Sequence, residues 1–300
     1  MHDKIKPRKG VIDMNNYVIL TDSCCDLTKE QLSALDVASL SLEVLIDSAD
    51  PIYNDEVDIE EFYKKLREKG KITTSAIGMD RFTEFFEDYL KNGVDVLYLG
   101  FSSGLSGTYN AAFVAAQELA EKYPDRKIYT VDTLCASLGQ GLFVHLAAKQ
   151  RLDGKSIDEV YEWAKEKRYN LCHWFTVDDL FFLKRGGRVN AATAVMGTML
   201  SIKPILHVDF KGKLINVSKA RGRKASIDTL FENMKATVIA PETQVTYICH
   251  GDCIADAEYL AKRMKEELGV PEVIIGYTGP VIAAHSGPGT LAVFYLGTER

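Results

Sequence analysis

The chain has 300 residues, of which 46% are hydrophobic and 26% charged, and its formal net charge is −6 at neutral pH. That length fits about two domains of roughly 150 residues each, and the apolar content excludes an intrinsically disordered chain. The acidic balance argues against a general nucleic-acid binder.

The most apolar long stretch, Ala191 to Leu200, falls far short of the ~20 residues of a membrane span, so no integral membrane segment is expected. The first sixteen residues are charged and lack the apolar core of an export signal, which predicts a cytoplasmic protein. Six cysteines are present, and none forms a C-x-x-C pair. In an unexported chain they read as small buried thiols. Cys249, His250 and Cys253 lack a fourth zinc ligand, so no metal is expected.

In chain order, the apolar run Tyr17 to Leu20 predicts a strand ending in Thr21-Asp22-Ser23. Thr28 with Gln31 is a capping-box signature for the helix after it. Asp58 with Glu61 opens a second helix, with Ile59, Phe62, Tyr63 and Leu66 on one face. Met79 to Asn92 repeats the pattern and closes at Gly93. A strand over 94–99 leads into the loop Gly100 to Gly107 and an alanine-rich helix over 109–122. Another strand (128–131), a polar turn at Asp132-Thr133 and a helix follow, and Ser156 with Glu159 caps one more helix. This alternation predicts a parallel sheet covered by helices on both faces.

The texture changes near residue 170 to short strands and turns. Phe210-Lys211-Gly212-Lys213 reads as a hairpin tip. A strand over 245–249, a helix over 255–268 and strand-like runs on both sides of a glycine-rich turn near 285–289 close the chain. The expected fold class is α/β in two domains: an N-terminal three-layer α/β/α domain with a mainly parallel sheet (17–168) and a C-terminal α+β domain (169–300), after an N-terminal extension (1–16).

Two chemistries compete for the loop after the 94–99 strand. Gly100-Phe101-Ser102-Ser103-Gly104 matches the G-x-S-x-G elbow of serine hydrolases, with Asp252 and His285 following in the order Ser, Asp, His. However, the loop runs on to Gly107, so the helix begins too late for a sharp elbow. The other chemistry is anion binding. Ser106 falls at a helix N-cap position with Gly107 just inside, where unpaired N–H groups stabilise a carboxylate or phosphate. A sugar-phosphate-binding enzyme is a third reading on the same feature. Thr73, Thr74 and Ser75 add hydroxyls, and His285-Ser286 places an imidazole on the Gly-Pro-Gly turn. Arg185 and Arg188 flank Gly186-Gly187, and guanidinium groups suit phosphate. Between Lys184 and Lys224, ten Lys and Arg face the single acid Asp209, a cationic zone suited to an anionic partner.

Tyr17 to Ser23, Thr73-Thr74-Ser75, Ser102 to Thr108, Lys184 to Arg188, Arg221 to Ala225 and His285 to Gly289 occur in one order that resembles the DegV family of bacterial fatty-acid-binding proteins. The resemblance runs from about Tyr17 to Gly297. It implies two domains with one long-chain fatty acid in a tunnel between them and no catalytic turnover or cofactor. The carboxylate-binding hydroxyls of the family match Thr74 and Ser106, with His285 in support; Thr73, Ser75, Gly107, Thr108 and Ser286 complete the expected ligand-binding set.

Some members present the lipid to an ATP-dependent fatty acid kinase, which transfers phosphate to the carboxylate. The arginines that serve that step match Arg185 or Arg188, and Arg221, expected to face the partner and its phosphate. The family commonly follows Thr-Ser with Gln-Pro; here Ala76-Ile77-Gly78 stands instead, without the rigid proline. The apolar tract Ala191 to Leu206, with Phe181, Phe182 and Met199, is the candidate tunnel wall.

Overall fold

A computed structural model describes residues 16–47, 49–68, 70–189, 201–298 and 300. Strand β1 (Tyr17–Asp22) is buried along its whole length. Its side chains alternate between two cores: Tyr17 and Ile19 enter one, Val18 and Leu20 the other. A strand buried on both faces is the mark of a covered parallel sheet.

The chain continues through α1 (Lys29–Ala34), β2 (Val37–Leu40), β3 (Glu43–Ile46), β4 (Ile52–Tyr53), α2 (Ile59–Arg67), β5 (Ile72–Ser75), α3 (Met79–Leu90), β6 (Asp95–Gly100), α4 (Thr108–Lys122), β7 (Ile128–Asp132), α5 (Leu138–Leu152) and α6 (Ile157–Lys167). Capping boxes at Thr28/Gln31 and Ser156/Glu159 start α1 and α6, as their spacing predicts. The parallel sheet has the order β2-β1-β6-β7. Residues of α3 and α4 share the core of Val18 and Tyr98, while those of α5 and α6 share the core of Ile19 and Leu97. The layering is α/β/α. A separate antiparallel sheet, β4-β3-β5, stands beside it. Its strands hold two to four residues each, and the hydroxyl cluster at 73–75 lies on strand β5.

The remainder comprises β8 (Leu171–Thr176), α7 (Phe181–Arg185), β9 (Ile202–Val208), β10 (Leu214–Arg221), α8 (Arg223–Thr237), β11 (Val245–His250), α9 (Ile254–Leu268), β12 (Glu272–Tyr277), α10 (Pro280–Ser286) and β13 (Leu291–Leu296). Its six-stranded sheet, β10-β9-β8-β13-β11-β12, is antiparallel apart from the β11–β12 pair. The predicted hairpin joins β9 to β10. Between β12 and β13 the sequence reading differs from the structure: Gly279-Pro280 opens the helix α10, and His285 lies in its last turn rather than on a turn between strands. Pro at the first helical position is pre-set for that geometry.

Helix α5 ties the two sheets together. Its first half is buried all round, and Gly139 and Gly141 lie where a Cβ would meet the ring of His173 at 2.3 Å and the carbonyl of Cys25 at 2.6 Å. Only glycine permits so close an approach on opposite sides. The core that α5 enters holds Ile19 and Leu97 of the parallel sheet together with Phe175, Tyr247 and Phe294 of the other. Among the described residues no helix is long and apolar enough to cross a membrane. Residues 191–200 of the candidate tunnel wall, Met199 included, and residues 1–15 of the extension lie outside the described residues.

Candidate functional site

The loop at the carboxyl end of β6 is fixed by buried carboxylates. Asp22 accepts hydrogen bonds from the Tyr98 hydroxyl (2.6 Å), the Phe101 N–H (2.9 Å), the Cys24 N–H (3.0 Å) and Gln140 Nε2 (3.2 Å). Burial pushes its pKa up, against the pull of those donors. Asp132 accepts from the N–H groups of Ser103 and Leu134, each at 3.1 Å. So braced, the loop turns at Ser102 and carries Ser106 just ahead of α4. The N-cap is Gly107 rather than Ser106. The Ser106 hydroxyl accepts from the Thr108 N–H at 3.2 Å and lies 2.9 Å from the Thr108 hydroxyl.

Three elements bring their polar groups to one cavity of about 180 Å³ between the sheets. Strand β5 supplies Thr74 and Ser75, the β6–α4 loop supplies Ser106 and Gly107, and α10 supplies His285 and Ser286. Thr74 Oγ1 and His285 Nε2 are 2.8 Å apart. Burial, reinforced by the charges of Arg188 and Arg185, lowers the His285 pKa to about 4, so the imidazole is neutral at pH 7. The Ser286 hydroxyl is buried and has no hydrogen-bond partner among the described residues. The rest of the lining is mostly apolar, including Phe101, Phe175, Leu183, Val208, Leu214 and Phe294. Hydroxyls and a neutral imidazole on an otherwise apolar wall suit one anionic head with a hydrophobic body.

Several sequence-nominated residues stand elsewhere. Thr73 is exposed and does not line the cavity. Thr108 is buried behind Ser106 and does not line the cavity. Arg188, nominated to face a partner, is half-buried in the cavity wall, with Nε donating to the Leu105 carbonyl at 3.2 Å. Burial pulls its pKa down. Arg185 is exposed, its guanidinium 5.1 Å from the Phe182 ring centre, and Arg221 is exposed at the end of β10.

The hydrolase constellation is not assembled. Ser102 is buried and donates to the Gly212 carbonyl at 2.8 Å, Asp252 is paired with Arg67, and the His285 imidazole is engaged with Thr74. Among the described residues no three His, Cys, Asp or Glu side chains form a metal-binding group. His250 Nδ1 instead accepts the Cys253 N–H at 3.3 Å. Sequence reasoning missed Asp22 as the brace of the loop. Its position at the carboxyl end of a parallel strand, where sites collect, was the available signal. It also missed Ser137 and Thr278, which line the cavity through tertiary packing alone.

The profile of the DegV family matches residues 16–298. A DegV domain-containing protein of Clostridium perfringens is 49% identical over 291 residues, covering 96% of this chain and 99% of its own. Among solved structures, a DegV lipid binding protein of Thermotoga maritima aligns with a TM-score of 0.80 at 31% identity, over 95% of this chain and 99% of that one. A fatty-acid-binding DegV family protein of Thermus thermophilus gives a TM-score of 0.83 at 31% identity, over 94% and 99%. The chain belongs to the DegV family.

Proposed function

We infer that this protein binds one long-chain fatty acid in the cavity between strand β5 and the six-stranded sheet, with the carboxylate at Thr74, Ser106 and His285 and the acyl chain along the apolar wall. The observation that carries the reading is the 2.8 Å Thr74–His285 pair beside Ser106 and Ser286, on a cavity wall that is otherwise mostly apolar. A buried carboxylate is costly unless hydrogen-bonded, and these groups can satisfy it. Each buried methylene adds about 0.8 kcal/mol. The lipid- and fatty-acid-binding descriptions of the Thermotoga and Thermus relatives support the same ligand class. We take 17–168 and 169–300 as the domains on either side.

The reading extends to presentation of the bound acid, in the cytoplasm, to an ATP-dependent fatty acid kinase, with no chemistry performed by this chain. Arg188 would offset the carboxylate from inside the cavity; the exposed Arg185 and Arg221 would meet the partner and the phosphate in transfer.

Thr74→Ala and Ser106→Ala are expected to weaken retention of fatty acid by roughly tenfold or more each, the scale of a hydrogen bond to a charged group. Unchanged retention in both would remove the site. Arg185→Ala and Arg221→Ala are expected to retain lipid yet lower its phosphorylation by the partner kinase. Normal phosphorylation of both variants would remove the kinase step.

A further inference from the structure

Ser102 stands at the centre of a hydrolase motif that the structure does not assemble, yet its polar atoms are fully engaged. The residue is completely buried. Its hydroxyl donates to the Gly212 carbonyl at 2.8 Å, and its oxygen accepts the Gly104 N–H at 3.2 Å. A serine hydroxyl has one proton, so no second bond can be donated. The backbone is occupied as well. The Ser102 N–H donates to the Cys135 carbonyl at 3.0 Å, and the Ser102 carbonyl accepts the N–H groups of Leu105 at 3.1 Å and Ser106 at 3.2 Å. Those last two bonds wind 102–106 into a single turn. That turn, with the Thr108 N–H on the helix side, sets where the Ser106 hydroxyl stands.

The Gly212 carbonyl is a fixed post for that turn. It belongs to the tip of the β9–β10 hairpin, in the six-stranded sheet. Within the tip, Asp209 Oδ1 accepts the N–H groups of Lys211 and Lys213, each at 2.9 Å. The Gly212 N–H donates to the Asp209 carbonyl, and the Asp209 N–H to the Lys213 carbonyl, both at 2.9 Å. The loop is pressed against this tip: a Cβ on Gly104 would come 2.6 Å from the Lys211 carbonyl oxygen and 2.7 Å from that of Gly212. Val208 and Leu214, on either side of the tip, line the cavity, as do Phe101, Leu105 and Ser106 of the loop; Ser102 does not. The Ser102–Gly212 bond thus ties the loop that carries Ser106 to the wall made by the other sheet.

We propose that Ser102 is a positioning residue for the ligand's carboxylate: anchored on Gly212, it holds the β6–α4 loop so that the Ser106 hydroxyl is aimed at the anion. The inference rests on the fatty-acid reading above and deepens it. Ser102 is buried outside the cavity lining and its proton is committed, so it makes no contact with the ligand. Its effect on binding passes through Ser106. Without the Ser102 hydroxyl, the Gly212 carbonyl and the Gly104 N–H both lose a buried partner, and nothing else ties the turn to the hairpin tip through a side chain. The loop then shifts relative to Thr74 and His285. A hydrogen bond weakens as its distance and angle leave the optimum, so a small displacement of Ser106 costs affinity for the carboxylate.

The test is a double-mutant cycle on the binding of hexadecanoic acid to the delipidated full chain, with Ser102→Ala, Ser106→Ala and the two combined. Ser102→Ala is expected to weaken binding roughly three- to tenfold, one neutral hydrogen bond's worth. In the Ser106→Ala background the same change is expected to have no further effect, because the group it positions is gone. A merely structural role would weaken binding by the same factor in both backgrounds, and that additivity would overturn the assignment. So would an unchanged affinity in Ser102→Ala. Gly104→Ala drives its Cβ against the Lys211 carbonyl and displaces the loop without touching Ser102. It should give the same two results, and it decides the matter if Ser102→Ala does not fold. If Ser106→Ala leaves binding unchanged, or the wild type does not bind the acid, the fatty-acid site itself is overturned and the positioning role with it.

Discussion

His285 is neutral in the folded protein because burial and two nearby guanidinium groups oppose its protonation. Its pKa of about 4 lies below the ordinary 6.5, so between these values the unfolded chain binds more protons than the folded one. Stability from this group is present above pH 6.5 and is lost as pH falls toward 4. Asp26 acts in the opposite sense: burial raises its pKa to about 7 from 3.8, so its contribution is full below pH 3.8 and fades as pH rises through 7. His285→Gln should therefore blunt the loss of stability between pH 6.5 and 4, and Asp26→Asn should raise stability most above pH 7. Denaturant melts of the delipidated proteins across pH 4 to 8 check both signs. Parallel pH curves for wild type and variants would contradict the burial argument.

At the scale of elements, the site depends on how closely α10 approaches the end of α7. Gly186, just past α7, lies where an added Cβ would come 2.3 Å from His285 Nδ1. Gly186→Ala must move the imidazole or the backbone that carries it. It should lower fatty-acid retention about as much as Thr74→Ala, roughly tenfold, while leaving the melting transition cooperative. Retention equal to wild type would show that the ring position is not critical.

The elements legible in the sequence were those with local chemistry. Capping boxes fixed the starts of α1 and α6, and the Phe210–Lys213 tip set the β9–β10 hairpin. Strands β2 to β5 were missed because none exceeds four residues, too few for alternation to show. Helix α10 was taken as strand because its apolar run is short, although Gly279-Pro280 marked its start. Of the site, Thr74, Ser106 and His285 stood out as hydroxyl and imidazole clusters. The cavity positions of Arg188, Ser137 and Thr278 follow from packing between distant elements, which no local pattern encodes.

At the scale of the whole molecule, the cavity lies where the six-stranded sheet faces strand β5 and the loops at the carboxyl ends of the parallel strands β6 and β7. Helix α5 fills one part of the gap with close-packed glycine contacts to both sides. Helix α10 spans another part, anchored where the Asn54 side chain accepts the Val281 N–H at 2.9 Å and the Tyr63 hydroxyl reaches the Thr278 carbonyl at 2.8 Å. The space between them is lined by β5, by the loops after β6 and β7, by α10 itself and by strands of the six-stranded sheet. An apolar gap of this kind, with hydroxyls and a neutral imidazole on its wall, is the physical case for a lipid with an anionic head.

That case is tested most directly by native mass spectrometry of the freshly purified full chain, followed by organic extraction and identification of what is released. A single long-chain fatty acid in one-to-one ratio with the protein, lost on delipidation and regained on incubation, is the result predicted here. A clean apo mass that no member of a fatty-acid panel shifts would contradict it.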